Sequence, residues 1–315
     1  MLEATQKNTA VCAVVVTYNR KILLLECLEA ILHQSVPVDR LVIVDNHSTD
    51  DTVETLRQRG YLSDPRVELV SLPDNQGGAG GFHEGMKQAH KSGAEWVWIM
   101  DDDTIPTETC LEELLNARSV IKGKVSFLAS AVRGMNGEAM NVPKITRKQF
   151  NSYTDWYEYL GDGIAQIVKA TFVSLLIHRE AIDACGYPWK PFFLWGDDSE
   201  YTQRVIRDYG PAYMVGKSLA IHKRASSDEL SLVKEENPNR IRMYFYYYRN
   251  NLIGFWEYEN WLYRFLCMGK LGYDFVRVLL FGSHKLAKMG VILKAFFAFV
   301  FGTYDRRSFR ERAKL

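Results

Sequence analysis

The sequence lacks an excess of charge of either sign. Its 39 Lys and Arg residues nearly balance its 38 Asp and Glu residues. A broad positive field is the usual footprint of a nucleic-acid-binding protein. We therefore expect no nucleic-acid partner, and any phosphate that the protein binds must be held by a local site.

Cysteines are few, and none is in a paired motif. The five cysteines are widely spaced, and no C-x-x-C arrangement occurs. This pattern argues against a zinc cluster and against a disulfide framework, and it suits a reducing compartment. The N-terminal residues also lack a basic start followed by a long apolar core, so no signal peptide is predicted. We expect a cytoplasmic protein.

Long uninterrupted apolar runs are missing from the C-terminal third. Arg277, Lys285, Lys288 and Lys294 interrupt the apolar region 271–301. A helix that spans a membrane needs about 20 mostly apolar residues, so a spanning helix is not predicted. Three alternatives stay open for this region: a basic helix lying at a membrane surface, packing against the rest of the chain, and contact with a second subunit in a homo-oligomer.

The N-terminal third alternates between strand-like and helix-like patterns. Apolar runs predict strands at residues 11–17, 41–45, 67–71 and 96–100, and helical spacing predicts helices at 21–33, 50–59 and 81–90. This order predicts an α/β fold with a mostly parallel central sheet flanked by helices. Ligands of such sheets bind beyond the carboxyl ends of the strands.

The pattern changes further along the chain. Strands are predicted at 125–132 and 167–177 and a helix at 200–208, whereas residues 226–240 are polar enough to predict a mobile loop. From residue 241 the chain is aromatic and basic. We therefore predict a first domain over 1–225, a loop over 226–240 and a C-terminal helical region over 241–315.

Three consecutive carboxylates, Asp101, Asp102 and Asp103, follow the fourth predicted strand. Carboxylates beside a buried strand are costly unless a cation or water meets them. Residues two apart in extended backbone point the same way, so Asp101 and Asp103 could hold one ion. Oxygen ligands suit Mg²⁺ or Mn²⁺. The alternative is an acidic turn or helix cap, since Thr104 and Pro106 are expected to begin a helix.

Two further segments follow predicted strands. Asp45 could accept hydrogen bonds from a nucleobase or ribose, while Ser48 or Asp50 caps the next helix. The glycine-rich run 77–81 lets the backbone approach a ligand at a helix N-terminus, which makes Gly78 a candidate phosphate contact. A flexible turn explains the run equally well, because it matches neither the dinucleotide-binding nor the Walker pattern.

A second acidic cluster, Asp197 and Asp198, follows the aromatic run 192–195. Either carboxylate could simply cap a helix. An ionised carboxylate beside an aromatic side chain is also suited to taking a proton from a sugar hydroxyl. Trp195 could stack on the apolar face of a sugar ring. His222 ends a short apolar run, and a lone histidine is more often packed or solvated than a ligand.

Six segments, taken in order, resemble the motifs of the inverting, GT-A fold glycosyltransferases of family 2. They are Thr-Tyr-Asn-Arg at 17–20, Asp-Asn at 45–46, Asn-Gln-Gly-Gly at 75–78, Asp-Asp-Asp at 101–103, Trp-Gly-Asp-Asp at 195–198 and His222. The resemblance covers roughly residues 10–225. Within the family, the glycine run, the triple Asp and Trp-Gly-Asp-Asp look most like bacterial galactofuranosyltransferases. Related rhamnosyltransferases share much of the pattern.

The resemblance implies a nucleotide-sugar site with a divalent cation. Asp101 and Asp103 would hold Mn²⁺ or Mg²⁺ on the diphosphate of a UDP-sugar with His222 as a third ligand, and Asp102 would face the donor sugar. An imidazole ligand favours Mn²⁺ somewhat. Four residues would line the nucleotide pocket: Thr17, Arg20, Asp45 and Asn75.

The resemblance also implies the acceptor side. Asp198 would be the base, and Asp197 would orient the acceptor. Gly196, between Trp195 and the acid pair, departs from the family pattern and leaves the position of the tryptophan open. One displacement would invert the anomeric carbon of the donor, with UDP-galactofuranose as the expected donor. A glycan on polyprenyl diphosphate is the expected acceptor, which would suit peripheral membrane contact.

Four other functions compete with this one. A rhamnosyltransferase would use a dTDP-sugar. A nucleotidyltransferase could share the metal-binding core but would not explain residues 195–198. A glycosidase uses two carboxylates but needs no triple Asp. A non-catalytic glycan-binding or scaffold protein on a decayed transferase fold is the alternative from another class, and the intact Asp101, Asp103 and Asp198 argue against it.

Overall fold

A computed structural model describes residues 10–145, 149–150, 153–224 and 230–302 of the chain. Its strands and α-helices in chain order are β1 (Val11–Thr17), α1 (Lys21–Leu32), β2 (Arg40–Asp45), α2 (Thr52–Gln58), β3 (Val67–Ser71), α3 (Gly77–Lys91), β4 (Trp96–Asp101), β5 (Thr104–Pro106), α4 (Cys110–Val120), β6 (Phe127–Arg133), β7 (Ala139–Met140), β8 (Lys144–Ile145), β9 (Gln149–Phe150), β10 (Tyr153–Thr154), β11 (Ile164–Lys169), β12 (Leu175–His178), α5 (Arg179–Cys185), α6 (Asp197–Asp208), β13 (Ala212–His222), α7 (Pro238–Tyr258), α8 (Trp261–Phe281) and α9 (Lys285–Val300).

A mixed central sheet has the strand order β3-β2-β1-β4-β12-β6-β13-β11-β8. The first four of these strands are parallel to one another. β12 is antiparallel to both β4 and β6, and β13 is parallel to β6. The predicted α/β alternation is confirmed. Because β1, β2, β3 and β4 are parallel, their carboxyl ends meet at one edge of the sheet.

Helices cover both faces of the sheet. Along β1 the odd-numbered residues pack with the buried leucines of α1 and α4. The even-numbered residues pack instead with Phe82 and Met86 of α3 and with Tyr201 and Val205 of α6. Successive side chains of a strand point to opposite faces, so an unbroken apolar run such as β1 is what a strand buried on both faces requires.

Helix α3 begins at Gly77, not at residue 81 as the sequence suggests. Its glycines let the helix pack closely on the sheet: a Cβ on Gly81 would lie 2.4 Å from Val16 Cγ1, and one on Gly85 would lie 2.4 Å from Val14 Cγ1. Close packing thus overrides the low helix propensity of glycine. The run 77–81 is part of a helix rather than a flexible turn.

Three other sequence predictions were wrong in detail. Thr104–Pro106 is strand β5, paired antiparallel with the end of β13, and α4 begins only at Cys110. The strand predicted at 167–177 is two strands, β11 and β12, and Ser174 between them has a φ of 58°. An apolar run alone cannot show such a break, because both strands are buried. Helix α6 begins at Asp197, earlier than predicted.

The C-terminal helices α7, α8 and α9 pack around a small core of their own that includes Tyr248, Leu271 and Ile292. Ile253 of α7 joins them to the sheet domain by packing with Phe192. The predicted C-terminal helical extension is thereby confirmed for the described part. Residues 303–315 of the predicted helical region lie outside the described residues.

The structure describes only part of the predicted mobile loop 226–240. Residues 226–229 lie outside the described residues. Within residues 230–237, Leu232 is buried against the core of the C-terminal helices, and α7 already begins at Pro238. Across the described ranges, none of the helices combines the length and the apolarity needed to cross a membrane.

Candidate active site

A cavity of about 560 Å³ opens at the carboxyl edge of the sheet. Asp45, a predicted site residue, does not contribute to the cavity wall, since it is buried below the surface and its Oδ1 accepts a hydrogen bond from the Ser48 N–H at 3.1 Å. The cavity is nevertheless where eleven predicted site residues meet: Thr17, Arg20, Asn75, Gly78, Asp101, Asp102, Asp103, Trp195, Asp197, Asp198 and His222.

The triple Asp lies where β4 ends. The extended backbone stops at Asp101, and Asp102 and Asp103 form a turn. The argument from alternating side chains therefore does not apply to Asp101 and Asp103. Thr17 Oγ1 donates a hydrogen bond to Asp102 Oδ2 at 2.8 Å, and Arg20 Nη1 lies 3.3 Å from Asp102 Oδ1 and 2.8 Å from Asp103 Oδ2. Arg20 thus neutralises part of this negative charge.

The three carboxyl groups titrate differently. Burial, together with the charges of Asp103 and Asp102, raises the pKa of Asp101 well above its usual value. Burial also raises the pKa of Asp102, to about 6. Burial opposes ionisation of Asp103 too, but the interaction with His222 when its ring is protonated, together with the charge of Arg20, outweighs burial and lowers the pKa. Asp103 is therefore the carboxylate best suited to staying ionised here.

Asp103 and His222 form a pair that suits a divalent cation. His222 Nδ1 lies 2.8 Å from Asn141 Oδ1, which can only accept, so Nδ1 carries a proton and Nε2 is the ring nitrogen left to bind a cation. Nε2 lies 3.1 Å from Asp103 Oδ1, a buried oxygen that accepts no well-directed hydrogen bond within the described part of the chain. Two atoms that bind one cation at right angles, each about 2.1 Å from it, are about 3 Å from each other. The 3.1 Å between His222 Nε2 and Asp103 Oδ1 agrees with this separation.

Asp101 does not complete a metal-ligand cluster with this pair. Within the residues that the structure describes, no group of three or more His, Cys, Asp or Glu side chains is placed to hold a metal ion. The residues present thus fit two protein ligands, Asp103 and His222. In this arrangement the remaining ligands would be diphosphate oxygens or water, as is usual for Mg²⁺ at phosphate sites.

Asp197 and Asp198 are the first two residues of α6, as predicted from their position before a helical pattern. Gly196 precedes them with a φ of 93°, a conformation that glycine adopts without strain. Asp198 Oδ1 accepts a hydrogen bond from the Ser199 N–H at 2.6 Å. The dipole of a helix normally keeps carboxylate side chains at its N-terminus ionised.

Burial has the opposite effect to the helix dipole on the pKa values of Asp197 and Asp198. Desolvation, reinforced by the charge of Asp198, raises the pKa of Asp197 to about 8. Desolvation also raises the pKa of Asp198, although the Ser199 N–H and the charge of Lys169 oppose it. The helix dipole is therefore not the dominant influence. Both carboxyl groups bind protons more tightly than exposed ones, which makes each a stronger base once ionised.

The glycine-rich start of α3 forms another wall of the cavity. Gly77 has a φ of 69°, and a Cβ there would lie 2.0 Å from the carbonyl oxygen of Phe193, so the position requires glycine. The side chain of Asn46 fastens this turn, since its Oδ1 accepts from the Gln76 N–H and its Nδ2 donates to the Gly77 carbonyl, both at 2.9 Å. A Cβ on Gly78 would lie 3.8 Å from Asp197 Oδ2.

The loop before α6 is held in a strained conformation by α7. Phe193, Trp195 and Gly196 all have positive φ. Asn250 of α7 is buried, and its Nδ2 donates to the carbonyl oxygens of Phe192, Leu194 and Trp195 at 2.8–3.1 Å. The Trp195 ring packs against Tyr244 with centroids 5.3 Å apart and still lines the cavity. This places the tryptophan between the C-terminal helices and the site.

Two residues that matter here escaped the sequence reasoning. Asn141 orients His222, and Asn250 holds the loop that carries Trp195. Asn141 belongs to no recognisable motif. Asn250 lies in an aromatic segment noted above, but nothing in that segment indicates that it reaches back to residues 192–195. Arg240 and Met243 of α7 also line the cavity without any sequence signal.

Comparison with known proteins supports a glycosyltransferase domain around this site. Residues 12–159 match Glycosyl transferase family 2, and the predicted resemblance to that family is confirmed over this segment. The sheet and its helices form the GT-A-like α/β fold expected of that family. S. aureus TarS shares this fold with a TM-score of 0.52 and 16% identity, over 95% of this chain and 44% of that chain.

Two curated relatives carry the name galactofuranosyltransferase GlfT1. The protein of Mycolicibacterium smegmatis is 33% identical over 202 residues, and that of Mycobacterium tuberculosis is 30% identical over 203 residues. The matched regions cover 62% and 63% of this chain and 65% of each relative. The chain is therefore similar to galactofuranosyltransferases over less than two thirds of their length.

Proposed function

We propose that the protein is an inverting, metal-dependent transferase that moves galactofuranose from UDP-galactofuranose to a glycan acceptor. The observation that carries this proposal is the single cavity into which two separate acidic clusters converge, one at the end of β4 and one at the start of α6. One cluster suits the donor diphosphate, and the other suits an acceptor hydroxyl. The names of the curated relatives support the choice of donor sugar.

On the donor side, the nucleotide lies against Thr17, Arg20 and Asn75, with Gly78 at the diphosphate and Asp102 towards the donor sugar. Asn75 Oδ1 accepts from the Gly77 N–H at 2.9 Å, which fixes the turn at the start of α3. The dipole of a helix favours a phosphate at its N-terminus. Asp45 supports the nucleotide from beneath the wall, next to its partner Ser48.

Asp103 and His222 would hold a divalent cation, Mn²⁺ or Mg²⁺, and Asp101 would join them as a further ligand only once the donor is bound. Such a cation neutralises the negative charge that develops on the leaving diphosphate. Asn141 keeps the His222 lone pair directed at the ion through its 2.8 Å contact with Nδ1.

On the acceptor side, Asp198 takes the proton from the acceptor hydroxyl while Asp197 orients the acceptor. The hydroxyl oxygen bonds to the anomeric carbon as the bond from that carbon to the diphosphate oxygen breaks. The attacking oxygen enters opposite the leaving group, so the anomeric centre is inverted and no covalent enzyme intermediate forms. Trp195 stacks on the acceptor sugar.

We place the reaction in the synthesis of a cell-surface polysaccharide, with an acceptor linked to polyprenyl diphosphate at the inner face of the membrane. The basic and apolar character of the C-terminal helices supports a lipid-linked acceptor.

A donor panel tests the reaction. UDP-galactofuranose, UDP-galactopyranose, UDP-glucose and dTDP-rhamnose are each supplied with Mn²⁺ or with EDTA, and nucleotide release is measured. We expect turnover with UDP-galactofuranose that EDTA removes and Mn²⁺ restores, and an NMR spectrum of the product that shows inversion. Turnover with dTDP-rhamnose alone would overturn the donor, and no turnover with any donor would favour a non-catalytic protein.

Metal binding has a readout independent of activity. Mn²⁺ binding in the presence of UDP is measured by electron paramagnetic resonance for the wild type, Asp103→Asn and His222→Gln. We expect both variants to bind Mn²⁺ at least about tenfold more weakly, since each removes a proposed ligand. His33→Gln, at an exposed histidine, is the matched control and should bind as the wild type does. Equal binding in all four proteins would contradict the ligand assignment.

A further inference from the structure

The outer surfaces of α8 and α9 are unusually apolar for surfaces that face solvent. Phe265 is 70% exposed and Phe297 is 49% exposed, and both lie on the side of their helix away from the shared core. The other large exposed apolar side chains of the two helices and the residue after them are Trp261, Leu262, Tyr263, Leu266, Tyr273, Val276, Leu279, Leu280, Phe281, Leu286, Leu293, Val300 and Phe301. Exposed apolar side chains in such number mark an interaction site.

These side chains are arranged by helical spacing. On α8 they recur at positions 262, 265, 266, 273, 276 and 280, and on α9 at 286, 293, 297 and 300. Residues three, four and seven apart share one side of a helix. Each helix therefore has two apolar sides, an inner one packed on α7 and an outer one facing solvent. Packing within the described chain accounts only for the inner one.

The charges around this surface are almost all positive. The continuous segment 261–302, which the structure describes throughout, has six Lys or Arg residues, of which Lys288 is buried and the other five are at least partly exposed, and a single carboxylate, Asp274. Asp274 is buried, and its Oδ2 accepts hydrogen bonds from Tyr248 Oη at 3.1 Å and Lys270 Nζ at 2.9 Å. We call the outer surface of α8 and α9, with its basic residues, the apolar–basic face.

We propose that the apolar–basic face docks on a membrane surface that contains anionic lipids. Apolar side chains enter the boundary between headgroups and acyl chains, and lysine and arginine side chains meet anionic headgroups; this is how helices lie at a membrane interface. Trp261, Tyr263 and Tyr273 add amphipathic rings, which favour that depth. The helices lie on the bilayer and do not cross it.

Charge complementarity distinguishes a membrane from a second copy of this chain. A two-fold dimer places the same surface patch on both partners. An interface through this face would bring the lysines and arginines of one copy against those of the other without exposed carboxylates from 261–302 to match them. Like charges placed together oppose association, whereas an anionic surface favours it.

The face also adjoins the route to the cavity at the sheet edge. A basic cavity of about 830 Å³ is lined by Arg20 and Arg240, which also line the candidate active site, and by Lys270 and Arg277 of α8. Docking would therefore bring anionic headgroups to the entrance of this second cavity. The docking proposal stands on the surface itself, and only its use for presenting an acceptor rests on the proposed function.

Vesicle flotation of the full chain tests the proposal. Vesicles are made of phosphatidylcholine alone or with phosphatidylglycerol, and the bound fraction is measured for the wild type and for Phe265→Glu and Phe297→Glu. We expect binding that requires phosphatidylglycerol and that falls about tenfold or more in each variant, since each substitution removes a large buried apolar contact and adds a like charge. Added salt should weaken binding of the wild type.

A matched control separates location from chemistry. Met135 is 65% exposed and lies in the turn between β6 and β7, away from α8 and α9. Met135→Glu makes a comparable change of charge and should bind vesicles as the wild type does. Circular dichroism and UDP binding confirm that each variant is folded, and loss of sugar transfer with normal vesicle binding would count against the proposed function alone.

Two results would overturn the docking proposal. The first is equal vesicle binding by the wild type, Phe265→Glu and Phe297→Glu, or no binding by any of them. The second is a wild-type dimer in sedimentation velocity that both substitutions dissociate without any vesicle binding. That result would assign the apolar–basic face to contact between two copies.

Discussion

At the scale of single residues, Asp197 and Asp198 adjoin in sequence but differ in surroundings. Asp197 lies against Gly78 of α3, whereas Asp198 accepts the Ser199 N–H and is influenced by Lys169. A base must be able to ionise beside the substrate, and these two influences help Asp198 to do so. This asymmetry agrees with the role that the family resemblance implies for Asp198.

We predict that Asp198→Asn lowers kcat by about 10²- to 10⁴-fold, which is the usual contribution of a general base. Binding of UDP and Mn²⁺, measured by calorimetry, should stay near the wild-type level, because the proposed ligands are elsewhere. Asp197→Asn should mainly raise KM for the acceptor and keep more residual rate. An inactive Asp197→Asn beside an active Asp198→Asn would reverse the assignment.

The raised pKa of Asp197 predicts how stability depends on pH. With a folded pKa of about 8 and an unfolded pKa near 4, the folded protein holds this proton between about pH 4 and pH 8 and unfolding releases it. The contribution of Asp197 to stability is therefore present below about pH 4 and is lost as pH rises towards 8. Urea unfolding at pH 5 and pH 8 should show a smaller loss of stability for Asp197→Asn than for the wild type.

Asp162→Asn is the control for this measurement, because Asp162 is exposed. This variant removes an exposed carboxylate and leaves the buried ones in place. The free energy of unfolding of Asp162→Asn should therefore change with pH as that of the wild type does. If Asp197→Asn also follows the wild type, burial does not hold the proton on Asp197.

At the scale of elements, α3 is shaped by its contact with the sheet. Gly81 and Gly85 face β1, and the helix lies close enough that side chains at these positions would overlap valines of the sheet. Close approach also carries the N-terminus of α3 to the cavity, where Gly78 lies near Asp197. In α3, close packing against the sheet thus outweighs the low helix propensity of glycine.

We predict that Gly85→Ala destabilises the protein by about 1–3 kcal/mol, the usual cost of overpacking a core. Its Cβ would lie 2.4 Å from Val14 Cγ1 and 2.9 Å from Val44 Cγ2. Gly254→Ala is the matched control in α7, where a Cβ meets no atom within 4 Å. It should stabilise by about 0.5–1 kcal/mol through helix propensity alone. Urea unfolding measures both, and equal effects of the two would contradict close packing of α3.

At the scale of the whole molecule, the C-terminal helices are joined to the candidate site through Asn250. Its side-chain amide satisfies three carbonyl groups of the loop that carries Trp195, in a stretch of positive φ values. Strained backbone persists only where its surroundings hold it. The helical extension is therefore part of the site and not merely attached to it.

We predict that Asn250→Ala lowers the free energy of unfolding by about 1–3 kcal/mol and lowers turnover more than this loss of stability explains, because buried carbonyl groups lose their donor and the loop relaxes. Asn251→Ala is the control, since the Asn251 amide donates only within α7, to the Tyr247 carbonyl. Turnover is compared at a temperature where all the proteins are folded. Equal turnover in both variants would show that the loop is held by other contacts.

Most regular elements of the sheet domain, and most of the residues that line the candidate site, could be predicted from the sequence alone. The strands at 11–17 and 67–71 were predicted with their observed bounds. For residues 11–17 the reason is that an unbroken apolar run reports burial on both faces. The ends of the parallel strands then located Thr17 and Asp101 at one edge without knowledge of any contact. The family motifs added Asp198 and His222.

The distant residues that complete the candidate site could not be predicted from the sequence, because they are brought together by packing. The pairing of β5 with β13 opposes Thr104 to His222, and the approach of Asn141 fixes the histidine ring. Neither contact leaves a periodic trace, because each joins segments far apart in the chain. The raised pKa of Asp197 also depends on burial by other elements, whereas the sequence shows only its helix N-terminus. Periodicity reports which side of an element is buried, but the partner that buries it is chosen by packing.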